Sequence, residues 1–156
     1  MQERYTVAFT GHRCIERFSF AEEKVEQLIK EIICSHSYVE FLVGREGDFD
    51  CIVASTVRRI KKNVFDANSS LVWVMPYETA VYRDNVSAFE EYYDEIVLCQ
   101  ESAESHFKNA IQKRNRYMID CADLLICYVE KNGGACQTMK YAVKKGKKVI
   151  NICTLQ

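Results

Sequence analysis

Three short loops that contain glycine carry residue types suited to binding phosphate. The first has Gly11, His12 and Arg13, the second spans residues 44–50, and the third spans residues 132–135. Glycine lets a backbone amide approach a phosphate closely, and the free N–H groups of a helix N-terminus attract anions. Arginine can pair with a phosphate through two parallel hydrogen bonds, while His12 can donate to an oxygen. The three loops together predict a phosphate-binding rim.

Each loop also has an ordinary explanation, which the sequence leaves open. Turns between a strand and a helix use glycine simply to reverse the chain, and Arg13 could cap a neighbouring carbonyl or pair with a surface acid. Asp50, near the predicted start of a helix, fits an N-cap or first-turn acid as well as a ligand of a ribose hydroxyl. Neither GxxxxGK[ST] nor GxGxxG occurs, which argues against a Walker P-loop and an ordinary dinucleotide site.

Predicted strands and helices, which would position these loops, alternate along the chain. Apolar runs that end at glycine or proline alternate with runs whose apolar residues recur at helical spacing. This pattern predicts an α/β fold: a Rossmann-like, doubly wound and mostly parallel sheet with helices on both faces, in a single domain over residues 1–156. The predicted strands are 5–11, 38–44, 70–76, 95–100, 122–129 and 147–153, and the predicted helices are 20–35, a run through Ile52 and Ile60, 82–95, 103–120 and 135–146.

The helix predicted over residues 103–120 carries a second candidate group. Its apolar residues, among them Phe107 and Met118, are expected to face the core. Arg114, Asn115 and Arg116 lie near its predicted C-terminus, where cations complement the helix dipole. On that interpretation these arginines have no special function.

Composition narrows the classes of protein that the chain can represent. The formal net charge is -1, so nothing in the overall charge demands a nucleic-acid partner or an anionic membrane. No signal-peptide pattern and no apolar run of membrane-spanning length occurs, and we therefore expect a cytoplasmic protein. The eight cysteines form no CxxC pair and the three histidines are scattered, which predicts buried reduced thiols and no metal site.

Five segments, in this order, resemble the SLOG superfamily of Rossmann-like proteins. That superfamily joins the DNA-processing protein DprA/Smf to the Lonely Guy cytokinin-activating enzymes, and the chain is most similar to its YpsA-like branch. The segments are VAFTGHR (7–13), GREGDFD (44–50), RNRYM (114–118), ADLLIC (122–127) and GGACQTMKYAVKKGKKVINI (133–152).

The resemblance implies one Rossmann-like SLOG domain that binds a nucleotide or a nucleotide-derived small molecule, as a sensor or regulatory module with little or no catalysis. It suggests a homodimer by analogy within the family. We expect no cofactor, and hydropathy and net charge lead us to expect no membrane partner and not to favour nucleic acid. The ligand-binding residues expected are Gly11, His12, Arg13, Gly44, Glu46, Gly47, Asp50, Arg114, Asn115, Gly133, Gly134 and Thr138.

Enzymatic activity is left open by one departure from the family pattern. Lonely Guy enzymes carry P-G-G-x-G-T-x-x-E, whose glutamate acts with an arginine in hydrolysis of the N-glycosidic bond of a nucleoside 5'-monophosphate. The arginine aligns with Arg114, the one catalytic candidate if the chain is an enzyme, but the glutamate aligns with Lys140. A lysine cannot replace that carboxylate. Phosphoribohydrolase activity is thus the first alternative, and single-stranded DNA binding, as in DprA-like proteins, is the second.

Overall fold

Six parallel strands form one sheet in the computed structural model of the protein, which describes residues 3–63 and 68–156. Every neighbouring pair is parallel, and the strands lie in the order β4-β3-β2-β1-β5-β6. The order reverses direction between β1 and β5, the place where ligands bind in open α/β sheets. The strands are β1 (Arg4–Gly11), β2 (Tyr38–Val43), β3 (Ser69–Met75), β4 (Glu95–Leu98), β5 (Leu124–Tyr128) and β6 (Lys148–Asn151).

Helices cover both faces of the sheet and bury two hydrophobic clusters. Val7 and Phe9 of β1 point into one cluster, whereas Ala8 between them points into the other, as the alternation of a strand requires. The α/β class with helices on both faces is confirmed. The helices are α1 (Phe18–Ser35), α2 (Asp48–Asn63), α3 (Ala80–Asp84), α4 (Val86–Tyr92), α5 (Gln100–Ala103), α6 (Phe107–Cys121) and α7 (Gly134–Lys144), and a 3₁₀ turn spans Ile152–Thr154.

Two predicted helices have different limits in the structure. The helix predicted over 82–95 is divided into α3 and α4 at Asn85, whose side chain donates to the carbonyl of Val81 and ends the first helix. The helix predicted over 103–120 begins later, at Phe107 of α6, and the residues before it form the separate short α5, which the hydroxyl of Ser102 anchors to the carbonyl of Pro76. Hydrophobic periodicity alone does not detect such side-chain bonds.

Two expectations about burial were wrong in part. Phe107, expected in the core, is 64% exposed because it is the first residue of α6, although Met118 farther along is buried. The cysteine side chains are all free thiols, but only three of them are buried. The exposed cysteines are Cys14, Cys34, Cys51 and Cys121.

Within the two described ranges no helix is long and apolar enough to cross a membrane. The same ranges bring together no group of three or more histidine, cysteine, aspartate or glutamate side chains that could hold a metal ion.

The end of β1 touches the start of α2 so closely that only glycine fits there. A Cβ atom on Gly11 would lie 2.6 Å from the Cβ of Phe49, a fully buried residue in the first turn of α2. Overpacking of this kind forces neighbouring atoms apart.

We predict that Gly11→Ala lowers the free energy of unfolding by about 1–3 kcal/mol, measured by chemical denaturation. The matched control is Gly134→Ala, whose added Cβ would meet only the tip of the Gln112 side chain, at 2.9 Å. The free energy of unfolding of that control should stay within about 0.5 kcal/mol of the value for the parent protein. Equal losses in the two variants would contradict the packing argument.

Candidate functional site

A cleft of about 550 Å³ opens at the carboxyl ends of β1, β2 and β5, where the sheet order reverses. It brings together loops that lie more than 100 residues apart in the chain. Of the expected ligand-binding residues, those that line it are Gly11, His12, Arg13, Gly44, Glu46, Gly47, Asp50, Arg114, Asn115, Gly133 and Gly134.

Thr138 is the expected site residue that does not line this cleft. It is buried one helical turn into α7, where its hydroxyl donates to the carbonyl of Gly134 at 3.0 Å. It also accepts a hydrogen bond of 3.3 Å from the side-chain amide of Asn115. In this position Thr138 links α7 to α6 behind the cleft.

The glycine pair forms the N-terminus of α7 at one end of the cleft. Gly133 has φ 145° and ψ -164°, a conformation that is essentially restricted to glycine. A Cβ on Gly133 would meet no atom within 4 Å, so its backbone conformation, and not crowding, requires glycine. The first-turn amides of α7 have no intrahelical acceptor, and Gly133 at the N-cap has no side chain that could cap them. These amides, with the positive end of the helix dipole, can receive an anion.

Arg13 and His12, from the loop after β1, have different surroundings. Arg13 is exposed, and within the described residues its guanidinium makes neither a hydrogen bond nor an ion pair. His12 accepts a 2.8 Å hydrogen bond at Nε2 from the backbone N–H of Glu130, which requires an unprotonated Nε2. Partial burial lowers the pKa of His12 below its ordinary value, and the positive charge of Lys131 lowers it further. Arg13 is thus a free cation, and His12 is a neutral link between the β1 and β5 loops.

Arg114 is only 2% exposed and lies in the middle of α6. Its Nη1 donates to the carbonyl of Val74 at 2.8 Å, its Nε donates to Oδ1 of Asn115 at 2.9 Å, and its Nη2 pairs with the carboxylate of Glu46. The interpretation of Arg114 as a cation at a helix C-terminus was wrong, because Arg114 lies in the middle of α6, which begins only at Phe107 and ends at Cys121. The guanidinium instead joins α6, β3 and the loop after β2.

Gly44 provides the space that this ion pair needs. A Cβ on Gly44 would lie 2.5 Å from Oε1 of Glu46 and 2.9 Å from Nη2 of Arg114. Any side chain at position 44 would push apart the carboxylate of Glu46 and the guanidinium of Arg114, which are both largely shielded from solvent. Gly44, directly after β2, therefore makes room for the ion pair in the floor of the cleft and also takes part in the turn.

Asp50 lies in the first turn of α2, as expected, and its carboxylate accepts a 2.9 Å hydrogen bond from the backbone N–H of Glu46. Burial raises the pKa of Asp50 from its ordinary 3.8 to about 6, and the negative charge of Glu46 raises it further. The Glu46 N–H, Arg114 and Arg13 act in the opposite direction. Two carboxylates therefore lie side by side in the cleft, and the pKa of one of them is raised to about 6.

Several residues of the site were missed from sequence. Asp48 accepts at Oδ2 from the backbone N–H of Ile15 and so pins the loop after β2 to the loop after β1. Lys108, Gln112 and Lys131 line the cleft beside the expected residues. The i,i+4 spacing of residues 108 and 112 on a helix that also carries Asn115 was a signal that could have revealed one polar face.

In chemical terms the cleft has two parts. Its rim offers hydrogen-bond donors and positive charge from α7, Arg13, Lys108 and Lys131, which suits an anion. Its floor offers the carboxylates of Glu46 and Asp50, which accept hydrogen bonds from hydroxyl groups.

The fold of the chain is similar to that of a solved protein. No protein-family model matches the chain, and no curated protein matches it. The structure of DNA processing protein A from Helicobacter pylori, described for its single-stranded DNA binding mode, is similar with a TM-score of 0.64 and 17% identity. The match covers 93% of this chain, which spans 63% of the other. At that identity the likeness establishes the fold alone.

We predict that Glu46→Gln lowers the free energy of unfolding by about 2 kcal/mol, because it leaves a buried guanidinium without a counter-charge. The expected loss is below that for a fully buried pair, since the Glu46 side chain is 24% exposed. The control is Glu26→Gln, which removes the partner of two exposed cations, Lys30 on α1 and Arg59 on α2, and should cost no more than about 0.5 kcal/mol. Denaturation curves that coincide for the two variants would refute a stabilising role for the pair.

The raised pKa of Asp50 predicts how the stability of the protein depends on pH. Because its pKa is higher in the folded protein than in the unfolded chain, the folded state binds more protons between about pH 4 and pH 6. The contribution of Asp50 to stability therefore falls as pH rises through this window. Asp50→Asn removes that dependence, so the stability of the variant relative to the parent should rise by on the order of 2 kcal/mol between about pH 4 and pH 7. A relative stability that does not change with pH would contradict the assignment.

Proposed function

We propose that the chain is a single SLOG-type domain that binds a nucleotide or nucleotide-derived ligand, with the phosphate against the N-terminus of α7. The YpsA-like branch belongs to this proposal as the origin suggested by the sequence motifs. The observation that carries the proposal is the convergence on one cleft of the uncapped first turn of α7 and the guanidinium of Arg13, which has no partner in residues 3–63 and 68–156. Backbone amides and an arginine fork are the groups with which proteins hold phosphate.

The floor of the cleft supports a nucleotide over a simple inorganic anion. Glu46 and Asp50 would repel an anion, but their oxygens can accept hydrogen bonds from the hydroxyls of a ribose. The volume of about 550 Å³ lies within the range of small-molecule sites in proteins. An anion subsite beside a hydroxyl-binding subsite matches a sugar phosphate.

Binding without turnover is the form of the proposal that the residues support best. Lys140, where the resemblance expects a catalytic glutamate, is exposed on α7 and does not line the cleft. The three nitrogens of the Arg114 guanidinium donate to Val74, Asn115 and Glu46. Arg114 therefore positions the residues that form the floor of the cleft. A sensor or regulatory module needs this geometry and no catalytic group.

Single-stranded DNA binding is a second candidate, supported by the fold likeness to DNA processing protein A of Helicobacter pylori. The cations at the rim, Arg13, Lys108 and Lys131, could follow a phosphodiester backbone. The formal net charge of -1 gives no general attraction to a polyanion, which places this candidate second.

The first candidate predicts that some nucleoside 5'-phosphates or ADP-ribose-type compounds raise the melting temperature, as required of ligands that bind only the folded state. Arg13→Ala should weaken that binding about 10- to 100-fold in calorimetry, because a charge-assisted hydrogen bond is lost. Arg59→Ala is the control, since Arg59 lies on α2 beside Glu26 and does not line the cleft. A flat thermal response across such a library, or equal losses in both variants, would count against the site.

The second candidate predicts binding of a labelled oligothymidylate whose logarithmic affinity falls with the logarithm of salt concentration with a slope of about -2. Three phosphate contacts, from Arg13, Lys108 and Lys131, give this value for a single strand. Alanine at all three positions should abolish the slope. An affinity that does not depend on salt would exclude this candidate.

A further inference from the structure

A second cavity of about 430 Å³ adjoins the cleft. Gly44 and Asp50 line both cavities, so the two spaces meet where β2 ends and α2 begins. The outer wall of the second cavity is α4 and the end of α3. A ligand that reaches across Asp50 from the cleft enters this space.

Aromatic side chains make the walls of this second cavity. Phe89, Tyr92 and Tyr93 line it, with the small side chains of Ala54 and Ala88 between them. An aromatic side chain can stack on another flat ring over a broad contact area, and this contact requires no particular hydrogen bonds. We call this second cavity, with these lining residues, the aromatic pocket.

A planar cation lies at the aromatic pocket. Arg45 is exposed, and its guanidinium carbon is 4.7 Å from the centroid of the Phe89 ring. A guanidinium stacks on aromatic faces of either a side chain or a ligand. Arg45 therefore covers one face of Phe89, and a ring that enters the cavity could stack on the outer face of the guanidinium.

The groups of the two cavities follow one another in the order of the parts of a nucleotide. The α7 amides and Arg13 suit the phosphate, the carboxylates of Glu46 and Asp50 suit the ribose hydroxyls, and the aromatic pocket suits a flat heterocycle. We propose that the aromatic pocket holds the base of a nucleoside monophosphate. This inference rests on the proposed function and adds the part of the ligand that would distinguish a nucleotide from a simple sugar phosphate.

Trp73 provides a direct probe because it is the one tryptophan in the chain. It packs behind the aromatic pocket, with ring centroids 5.1 Å from Phe89 and 5.2 Å from Tyr93. A base bound on the other side of these rings should change the Trp73 fluorescence. A ligand that occupies only the cleft should leave it unchanged.

The experiment compares AMP, GMP, CMP and UMP with ribose 5-phosphate, which has the same sugar and phosphate but no base. At least one monophosphate should bind the full chain about tenfold or more tightly than ribose 5-phosphate, because base stacking adds to affinity. That monophosphate should change the Trp73 fluorescence, whereas ribose 5-phosphate should not.

Ala88→Phe fills the aromatic pocket from an exposed position without removing a core side chain. It should bring the affinity for the monophosphate to within about threefold of that for ribose 5-phosphate, and leave the latter unchanged. Ala103→Phe is the matched control, because Ala103 is exposed on α5 and lines neither cavity. It should behave like the parent protein.

The outcomes separate this inference from the function on which it rests. Equal binding of monophosphates and ribose 5-phosphate, with a silent Trp73, would overturn the aromatic pocket and leave the phosphate site standing. Binding of neither class would overturn both. A Trp73 response to oligothymidylate but to no monophosphate would overturn the assignment to a mononucleotide in favour of a base from a single strand.

Discussion

The buried guanidinium of Arg114 is the constraint on which the site depends. A charge that is 2% exposed must be paired and hydrogen bonded, because water cannot compensate it. Val74, Asn115 and Glu46 meet that requirement from β3, α6 and the loop after β2. Three separate elements are thereby held at one point below the cleft.

The rest of the floor follows from this pair. Glu46 must turn inward to reach the guanidinium, and Gly44 must lack a side chain so that it can. Asp50 then accepts from the backbone N–H of Glu46 and fixes the loop at a second place. The result is a pair of neighbouring carboxylates. Burial, together with the negative charge of Glu46, raises the pKa of Asp50 to about 6, and Arg114 offsets this rise only in part. Such a floor can accept hydrogen bonds from hydroxyl groups, and its negative charge disfavours an anion beside it.

The sequence predicted the fold well because its signals were local. Each apolar run that ended at glycine became a strand, and the alternation with helical runs required parallel pairing. The same logic found the three loops, since the carboxyl ends of parallel strands share one edge. The order of the strands from β4 to β6 had no local signal and came from the structure.

What the sequence missed depends on distant partners. The role of Arg114 is set by Glu46, 68 residues earlier in the chain, so the cation was interpreted from its neighbours alone. The division of residues 82–95 at Asn85 was also missed, and it places Phe89 and Tyr92 on the short α4 that walls the aromatic pocket. Hydrophobic periodicity indicates that such a segment is helical, but it does not indicate which cavity the helix borders.

The central claim is that a nucleotide phosphate lies against the first turn of α7. The most direct measurement is an amide NMR titration of the ¹⁵N-labelled chain with AMP, GMP, CMP and UMP, and with the four corresponding nucleosides that lack the phosphate. Our account predicts that a monophosphate shifts the amide signals of Gly134, Ala135 and Cys136 and that its nucleoside does not. Unchanged signals at these residues with every monophosphate, or equal shifts with the nucleosides, would contradict it.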